Sequence, residues 1–597
     1  MFRKTSILAV LIGLVLFMSV ATSPTADELP ADSFAKYMPA DTLMFCEFKD
    51  VKASLERADQ LAIVRMFTDP EIKDFVNEIV KLMEREAGDE AAVEGKGIVD
   101  KGKEYSELMK QAFTGRIAIA LTSVNPEKKE FKAIMLAAMT PESKPKFDEL
   151  LSKAFADMEA KGETPPQVVE MTIEDTAVRA YKEKDDTPDN ETVYLALTDE
   201  YMAVTAGKAS MEDFLRGRKT PINNPLSANP KFLKSYKAVR SQELFWYADY
   251  KAYVKMIQPI MDMTAAGNPI ANNIFNATSG ILDCMAGGLS FDGLKTVDEM
   301  VVFLGETKLK YIESMKGKRN SMKTAALMPK NSMVYGSVVL DMSAVYDDLL
   351  AMLGPAVEEQ IKEYENMLMM SFRDELMPAF GEEIGGYFTF ANMTPEFLLA
   401  IELKQPEVVE KALGSIEGIM PELPIEKRQF QGSTIRVIQQ PGMGMEIGVA
   451  IKDNWLMIGL LPSLQGAMTR ADANLTNNPD FIEGMKDSAG LPANSVVFID
   501  LKSLMGLGYD YGMMFAQTLL AQYPEFDPAT IPSKEAFTGK MMPWMMFGWT
   551  AQDGTSGLKV TGPIPYSIYM MANIAVMSAF TLAVPAEAEE EQPEDIF

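Results

Sequence analysis

The sequence predicts an α+β fold: two tandem copies of a mostly antiparallel sheet with helices packed on one face. Three observations predict it. Short apolar runs recur with turn residues between them, as in Val193–Leu197, Asp199-Glu200 and Tyr201–Val204, and strands joined by so short a turn pair antiparallel. Helical stripes such as Phe147, Leu151, Ala154 and Met158 lie between these runs, giving each helix one apolar side to lay on a sheet. The same features then return, in the same order, later in the chain.

The chain has 597 residues, more than one ordinary core can use, and its 47% hydrophobic and 24% charged content is that of a globular protein. Its 57 basic residues against 85 acidic ones leave a formal charge of −28. Such a surface repels phosphate backbones and anionic headgroups, so nucleic acid is not an expected partner. There is no histidine, which removes Ser-His-Asp, Cys-His and histidine-metal chemistry from this chain. Two cysteines are too few for a four-cysteine zinc site.

Taken in order, residues 1–26 read as a secretory signal peptide. Arg3 and Lys4 form a basic start, Ser6–Ala21 is uncharged, and Ser19-Val20-Ala21 places small residues at the cleavage positions, with Ala26 as a second option. The remainder is expected in the periplasm or cell envelope.

The first α+β copy spans residues 38–305, a linker spans 306–327, and the second copy spans 328–562. Met38-Pro39-Ala40-Asp41-Thr42 matches Met328-Pro329-Lys330-Asn331-Ser332, and Ala112-Phe113-Thr114-Gly115 matches Ala379-Phe380-Gly381. The hairpin 193–204 matches 447–458. Asn229-Pro230-Lys231-Phe232 matches Asn478-Pro479-Asp480-Phe481, and Asp292-Gly293 matches Asp553-Gly554. The offsets are 290, 267, 254, 249 and 261, which drift with loop length while the order holds.

Residues 563–586 form an apolar C-terminal helix. Its run Ile564–Val584 is 21 residues without a charge, and a bilayer crossing needs about 20. Membrane association and docking on the protein itself are both open. Residues 587–597 are an acidic tail.

Four apolar runs end at an aspartate followed by an amphipathic stretch: Asp50, Asp249, Asp341 and Asp500. An aspartate there caps a helix, its carboxylate accepting from free first-turn amides, and this explains the position without invoking catalysis or metal binding. Cys46 and Cys284 both sit in apolar runs. They are either two buried thiols or, in an oxidising compartment, a disulfide.

The segments Leu491-Pro492-Ala493-Asn494-Ser495 and Met38-Pro39-Ala40-Asp41-Thr42, each followed by a strand ending at Asp, resemble an uncharacterised bacterial envelope family whose domains open with a Leu-Pro-Ala-Asp-Thr strand segment. The Asn-Pro-x-Phe helix starts at Asn229 and Asn478 look like that family too. The resemblance implies an exported α+β protein of unknown function, and it supplies no catalytic residues.

No motif specifies a chemistry. Gly97–Glu104 has the glycine and lysine spacing of a phosphate loop, but Glu104 stands where Ser or Thr is needed and no apolar strand precedes it. Pro441–Gly444 precedes a strand and reads as a turn. Forty-five methionines, clustered at Met367–Met370, Met513-Met514, Met541–Met546 and Met570-Met571, could supply soft ligands to Cu(I), but they fit better as adaptable core filler or the lining of a pliable groove. The sequons at Asn190, Asn276, Asn392 and Asn474 read as coincidental. The expected function is therefore non-enzymatic binding or scaffolding in the envelope, with no cofactor and an envelope protein or ligand as partner. A histidine-free hydrolase using Asp/Glu carboxylates and Met-based Cu(I) binding are the alternatives.

Overall fold

The structure is a computed structural model that describes residues 29–79, 107–125, 130–160, 164–184, 186–240, 243–265, 279–391, 394–419, 424–439, 445–522 and 527–567, with isolated positions 105 and 162. The signal peptide (1–26), the phosphate-loop-like stretch, Pro441–Gly444, the acidic tail and most of the C-terminal run lie outside the described residues.

The first half holds strands β1 (Met44–Phe48), β2 (Ile117–Asn125), β3 (Glu130–Ala138), β4 (Gln167–Ile173), β5 (Thr176–Lys182), β6 (Val193–Leu197), β7 (Tyr201–Ala206), β8 (Leu244–Ala248), β9 (Leu282–Asp292) and β10 (Lys295–Leu304). Its helices are α1 (Val51–Ala58), α2 (Ala62–Phe67), α3 (Ser143–Ala160), α4 (Lys208–Lys219), α5 (Pro230–Ala238) and α6 (Tyr250–Ala265). The linker carries α7 (Lys310–Met315). The second half holds β11 (Val334–Val339), β12 (Phe380–Ala391), β13 (Thr394–Leu403), β14 (Ile425–Phe430), β15 (Ser433–Gln439), β16 (Glu446–Lys452), β17 (Trp455–Leu460), β18 (Ala493–Ile499), β19 (Trp544–Thr550) and β20 (Ser556–Gly562). Its helices are α8 (Met342–Leu353), α9 (Pro355–Leu368), α10 (Pro406–Ile419), α11 (Leu461–Thr469), α12 (Pro479–Met485), α13 (Leu501–Gln522) and α14 (Lys534–Thr538).

All pairings are antiparallel. In the first half the order is β4-β5-β6-β7-β3-β2-β1-β8-β9-β10. In the second it is β14-β15-β16-β17-β13-β12-β11-β18-β19-β20, the same order strand for strand. The last strands, β10 and β20, pair with each other, Thr296 opposite Gly562 and Val302 opposite Ser556. The result is one sheet of 20 strands with its centre at this junction. Two equivalent strands meeting antiparallel relate the halves by a rotation about an axis normal to the sheet, so corresponding faces lie on the same side.

The helices were expected on one face; they lie on both. On what we term face A, Phe45, Leu136, Ala180 and Tyr194 pack under α4 and α5, and in the second half Tyr335, Tyr387 and Phe498 pack under α11 and α12. On face B, Phe48, Met135, Tyr181 and Leu195 pack under α1, α2 and α3, and Ile401, Leu403 and Leu456 under α10. Adjacent strand residues such as Ala180 and Tyr181 thus bury into opposite layers.

The repeated motifs have a shared physical role on face A. Asn229 Oδ1 accepts the first-turn amides of Lys231 (2.8 Å) and Phe232 (3.3 Å), while its Nδ2 donates to the Ala40 carbonyl (2.7 Å). Asn478 accepts from Asp480 (2.8 Å) and Phe481 (3.0 Å) and donates to the Lys330 carbonyl (2.8 Å). Each Asn therefore caps its helix and ties it to the Met-Pro segment that opens the half. The Phe it positions meets the central aromatics edge-on, Phe232 with Phe45 and Phe245, and Phe481 with Tyr335 and Phe498.

A buried carboxylate fastens the start of each half, from different strands. Glu47 on β1 accepts from the Phe34 amide (2.7 Å), the Ser33 hydroxyl (2.9 Å) and Arg116, just before β2 (3.0 Å). In the second half Ser337 stands at the place of Glu47 and Glu383 at that of Arg116. Glu383 accepts from the Thr324 amide (2.7 Å) and hydroxyl (2.8 Å). The linker is built into the fold: Leu309 and Ile312 are buried, and the Tyr311 amide donates to Asp348 (2.9 Å).

Candidate functional site

The two faces are finished differently. In the second half β11 alternates half-buried and buried, with Tyr335, Ser337 and Val339 sealed into face A and Val334, Gly336 and Val338 only half-covered on face B. The neighbours repeat this: Ile384, Phe388, Val497, Ile499 and Met546 are half-buried on face B. A Cβ built on Gly336 meets nothing within 4 Å, so the roof stands clear of the sheet there. In the first half the matching positions are sealed only in part: Phe48, Ile117 and Trp246 are buried while Met44, Cys46 and Leu121 are half-buried, and the Trp246 ring lies so close across Gly287 that a Cβ there would come within 2.5 Å of it.

The helices over this part of face B leave apolar side chains in solvent. Asp348 is the one buried residue of α8, and Gly506 the one among the described side chains of α13. Leu349, Tyr364, Met367, Met369, Met514 and Phe515 are exposed, Met369 by 81%. Among the fourteen exposed large apolar residues of the described chain, Ile482 on α12 is the one carried by a helix of face A. Patches of this kind are unusual on a surface that has no partner.

At the junction, face B holds a small cleft lined by Trp246, Asp298, Met300, Leu558 and Tyr566. Asp298 sits in the middle of β10 and is buried. Its Oδ1 accepts the Ser567 amide (2.7 Å), and its Oδ2 finds no partner among the described residues. Burial pushes its carboxyl up to about 6, with the amides of Ser567 and Tyr566 pulling it back. Trp246 and Trp544 Nε1, on the same face, also lack a partner among the described residues. Glu299, one residue on, points to face A and accepts the Arg240 amide (2.7 Å).

This arrangement holds the chain after β20 against the sheet. The other buried acid pushed upward, Glu47, has burial as the main cause and Arg116 opposing it, and it lies on face A, so the two do not converge. Among the described residues no group of three His, Cys, Asp or Glu could hold a metal ion. The methionine clusters also split: Met545 is buried in face A while Met546 points to face B, and Met370 is buried while Met369 is exposed.

The four aspartates singled out in the sequence each accept a first-turn amide: Asp50 from Ala53 (2.9 Å), Asp249 from Ala252 (3.0 Å), Asp341 from Ser343 (3.0 Å) and Asp500 from Ser503 (3.0 Å). They stand at strand ends and are not brought together. Asp249 also takes the Lys231 ammonium at 3.1 Å, shared with Asp283 at 2.9 Å. The disulfide alternative is overturned: Cys46 and Cys284 are free thiols. Cys46 points to face B and Cys284 to face A, with β8 between their strands, so no bridging geometry exists. Sequence reasoning missed Asp298. Its signal was the acidic pair Asp298-Glu299 set between Val297 and the apolar run Met300–Leu304.

No helix of the described residues is long and apolar enough to cross a membrane. No known family profile matches the chain, and no curated protein does. Three similar solved structures are crystal forms I, III and IV of TP0453, at 10%, 13% and 12% identity. They cover 47–48% of this chain and 81–82% of their own, with TM-scores of 0.21–0.22, a likeness too loose to bear on function.

Proposed function

We propose that this chain is an exported envelope protein that acts by binding, and that the half-covered part of face B is its binding surface for an apolar partner. One observation carries the reading: exposed apolar side chains gather on the helices over face B, above strands whose own face-B residues are half-buried. The leader-like start and the envelope-family resemblance of the Met-Pro and Leu-Pro segments support the location. The acidic surface favours an uncharged apolar partner over an anionic one.

Titration of the full chain with the neutral dye Nile red tests this. Saturable binding is expected. Met369→Glu with Phe515→Glu lowers it several-fold, and Ile482→Glu on face A leaves it unchanged. Binding that ignores the face-B changes, or that falls equally with Ile482→Glu, overturns the reading.

A further inference from the structure

We propose that copies of this chain join head to tail through the two edges of the sheet, β4 of one copy pairing antiparallel with β14 of the next. Among the described residues β4 bonds only to β5 and β14 only to β15, and no other backbone bond reaches either strand. Each edge therefore offers a row of backbone donors and acceptors to another strand. β4 (Gln-Val-Val-Glu-Met-Thr-Ile) has none of the usual guards of such an edge: no lysine, arginine or proline, and no bulge in its pairing.

The charges on the two edges select the occupant. Glu170 on β4 stands opposite Arg179 of β5, which holds Asp148 on α3 (2.6 Å), so Glu170 lies on face B. Lys427 on β14 stands opposite Arg436 of β15 and meets Glu417 on α10 (2.6 Å), also on face B. The two exposed residues thus occupy the same place in the two halves and carry opposite charge. Pairing β4 with β4, or β14 with β14, about this position sets like charge against like; β4 with β14 sets Glu170 opposite Lys427. On face A, Arg428 and Glu426 bond each other (2.6 Å), so no unmatched charge faces Val169 and Met171.

The chain already contains one contact of this kind. At the internal junction the equivalent strands β10 and β20 meet antiparallel, with Glu299 opposite Lys559. The outer contact repeats that geometry between copies, and like it keeps corresponding faces on the same side. Exposed apolar residues lie at both edges on face B, Val168 beside Glu170, and Ile416 and Ile419 around Glu417 on α10. Because the two edges differ, the contact leaves one edge open at each end and assembly continues past two copies. Successive copies then present their face-B surfaces in a row.

Sedimentation velocity of the full chain at rising concentration tests this. Species larger than a dimer are expected to grow with concentration. Glu170→Lys or Lys427→Glu alone sets like charges across the contact and lowers the association constant several-fold, and the two together restore it. Both positions are exposed, so the restored double variant separates a lost contact from a lost fold. A monomer at every concentration, or a complex that stops at two copies, overturns the inference and leaves the face-B reading standing. So does association that ignores both charge changes, or that is abolished by Met369→Glu with Phe515→Glu, which would place the contact on the helices of face B.

Discussion

Replacing Asp298 by Asn changes how stability depends on pH, by an amount the structure sets. Burial raises this carboxyl from its ordinary 3.8 to about 6 in the folded chain. At about 1.36 kcal/mol per unit, the difference corresponds to about 3 kcal/mol. The direction follows from proton binding. Between pH 3.8 and 6 the folded state keeps a proton that the unfolded chain has lost, so stability falls as pH rises through that window and stays lower above it. Asn keeps a carbonyl to accept the Ser567 amide and carries no charge. Relative to the native protein, the Asp298→Asn variant therefore gains about 3 kcal/mol between pH 3.5 and pH 7, whatever its absolute offset. Urea unfolding of both proteins across that range measures it, with the flanking Trp246 and Trp544 as reporters. Parallel profiles would show that Asp298 is either solvated or paired, and would refute the burial argument.

Further outcomes follow from the same packing. Arg116→Ala leaves Glu47 buried without its cation and lowers stability by about 3–5 kcal/mol in denaturant titration. Asn229→Ala and Asn478→Ala each remove a helix cap and a tie to the opening segment, costing about 2 kcal/mol each. The two losses add in the double variant, because the sites sit in different halves. Burial raises both thiols, Cys46 with help from Glu47, so the native protein resists a thiol reagent at pH 8 and shows two thiols once unfolded; zero would mean a disulfide.

Much of the topology was legible because the repeated motifs are mechanical parts. Asn-Pro-x-Phe returns because the Asn caps a helix and holds the Met-Pro segment while the Phe enters the aromatic core. The aspartates at strand ends return because each strand is followed by a helix needing a cap. Placing helices on one face went wrong at strands such as β6 and β7, where Val193–Leu197 and Tyr201–Ala206 are apolar without alternation, the mark of a strand covered on both sides. The β10–β20 pairing was not legible, since nothing local to either strand names its partner. The open part of face B was hidden for a related reason. Val338, Phe388 and Val497 read as core in any sequence, and their partial exposure depends on how far the helices stand off the sheet.

The central claim is that one face of the sheet is sealed and the other carries the apolar binding surface. Photolabelling of the full chain with a small apolar diazirine, mapped by peptide mass spectrometry, tests it most directly. Label is predicted on α8, α9 and α13, at Leu349, Met367, Met369, Met514 and Phe515, with little on α4, α5, α11 and α12. Label spread evenly over both faces, or concentrated around Ile482, would contradict the account.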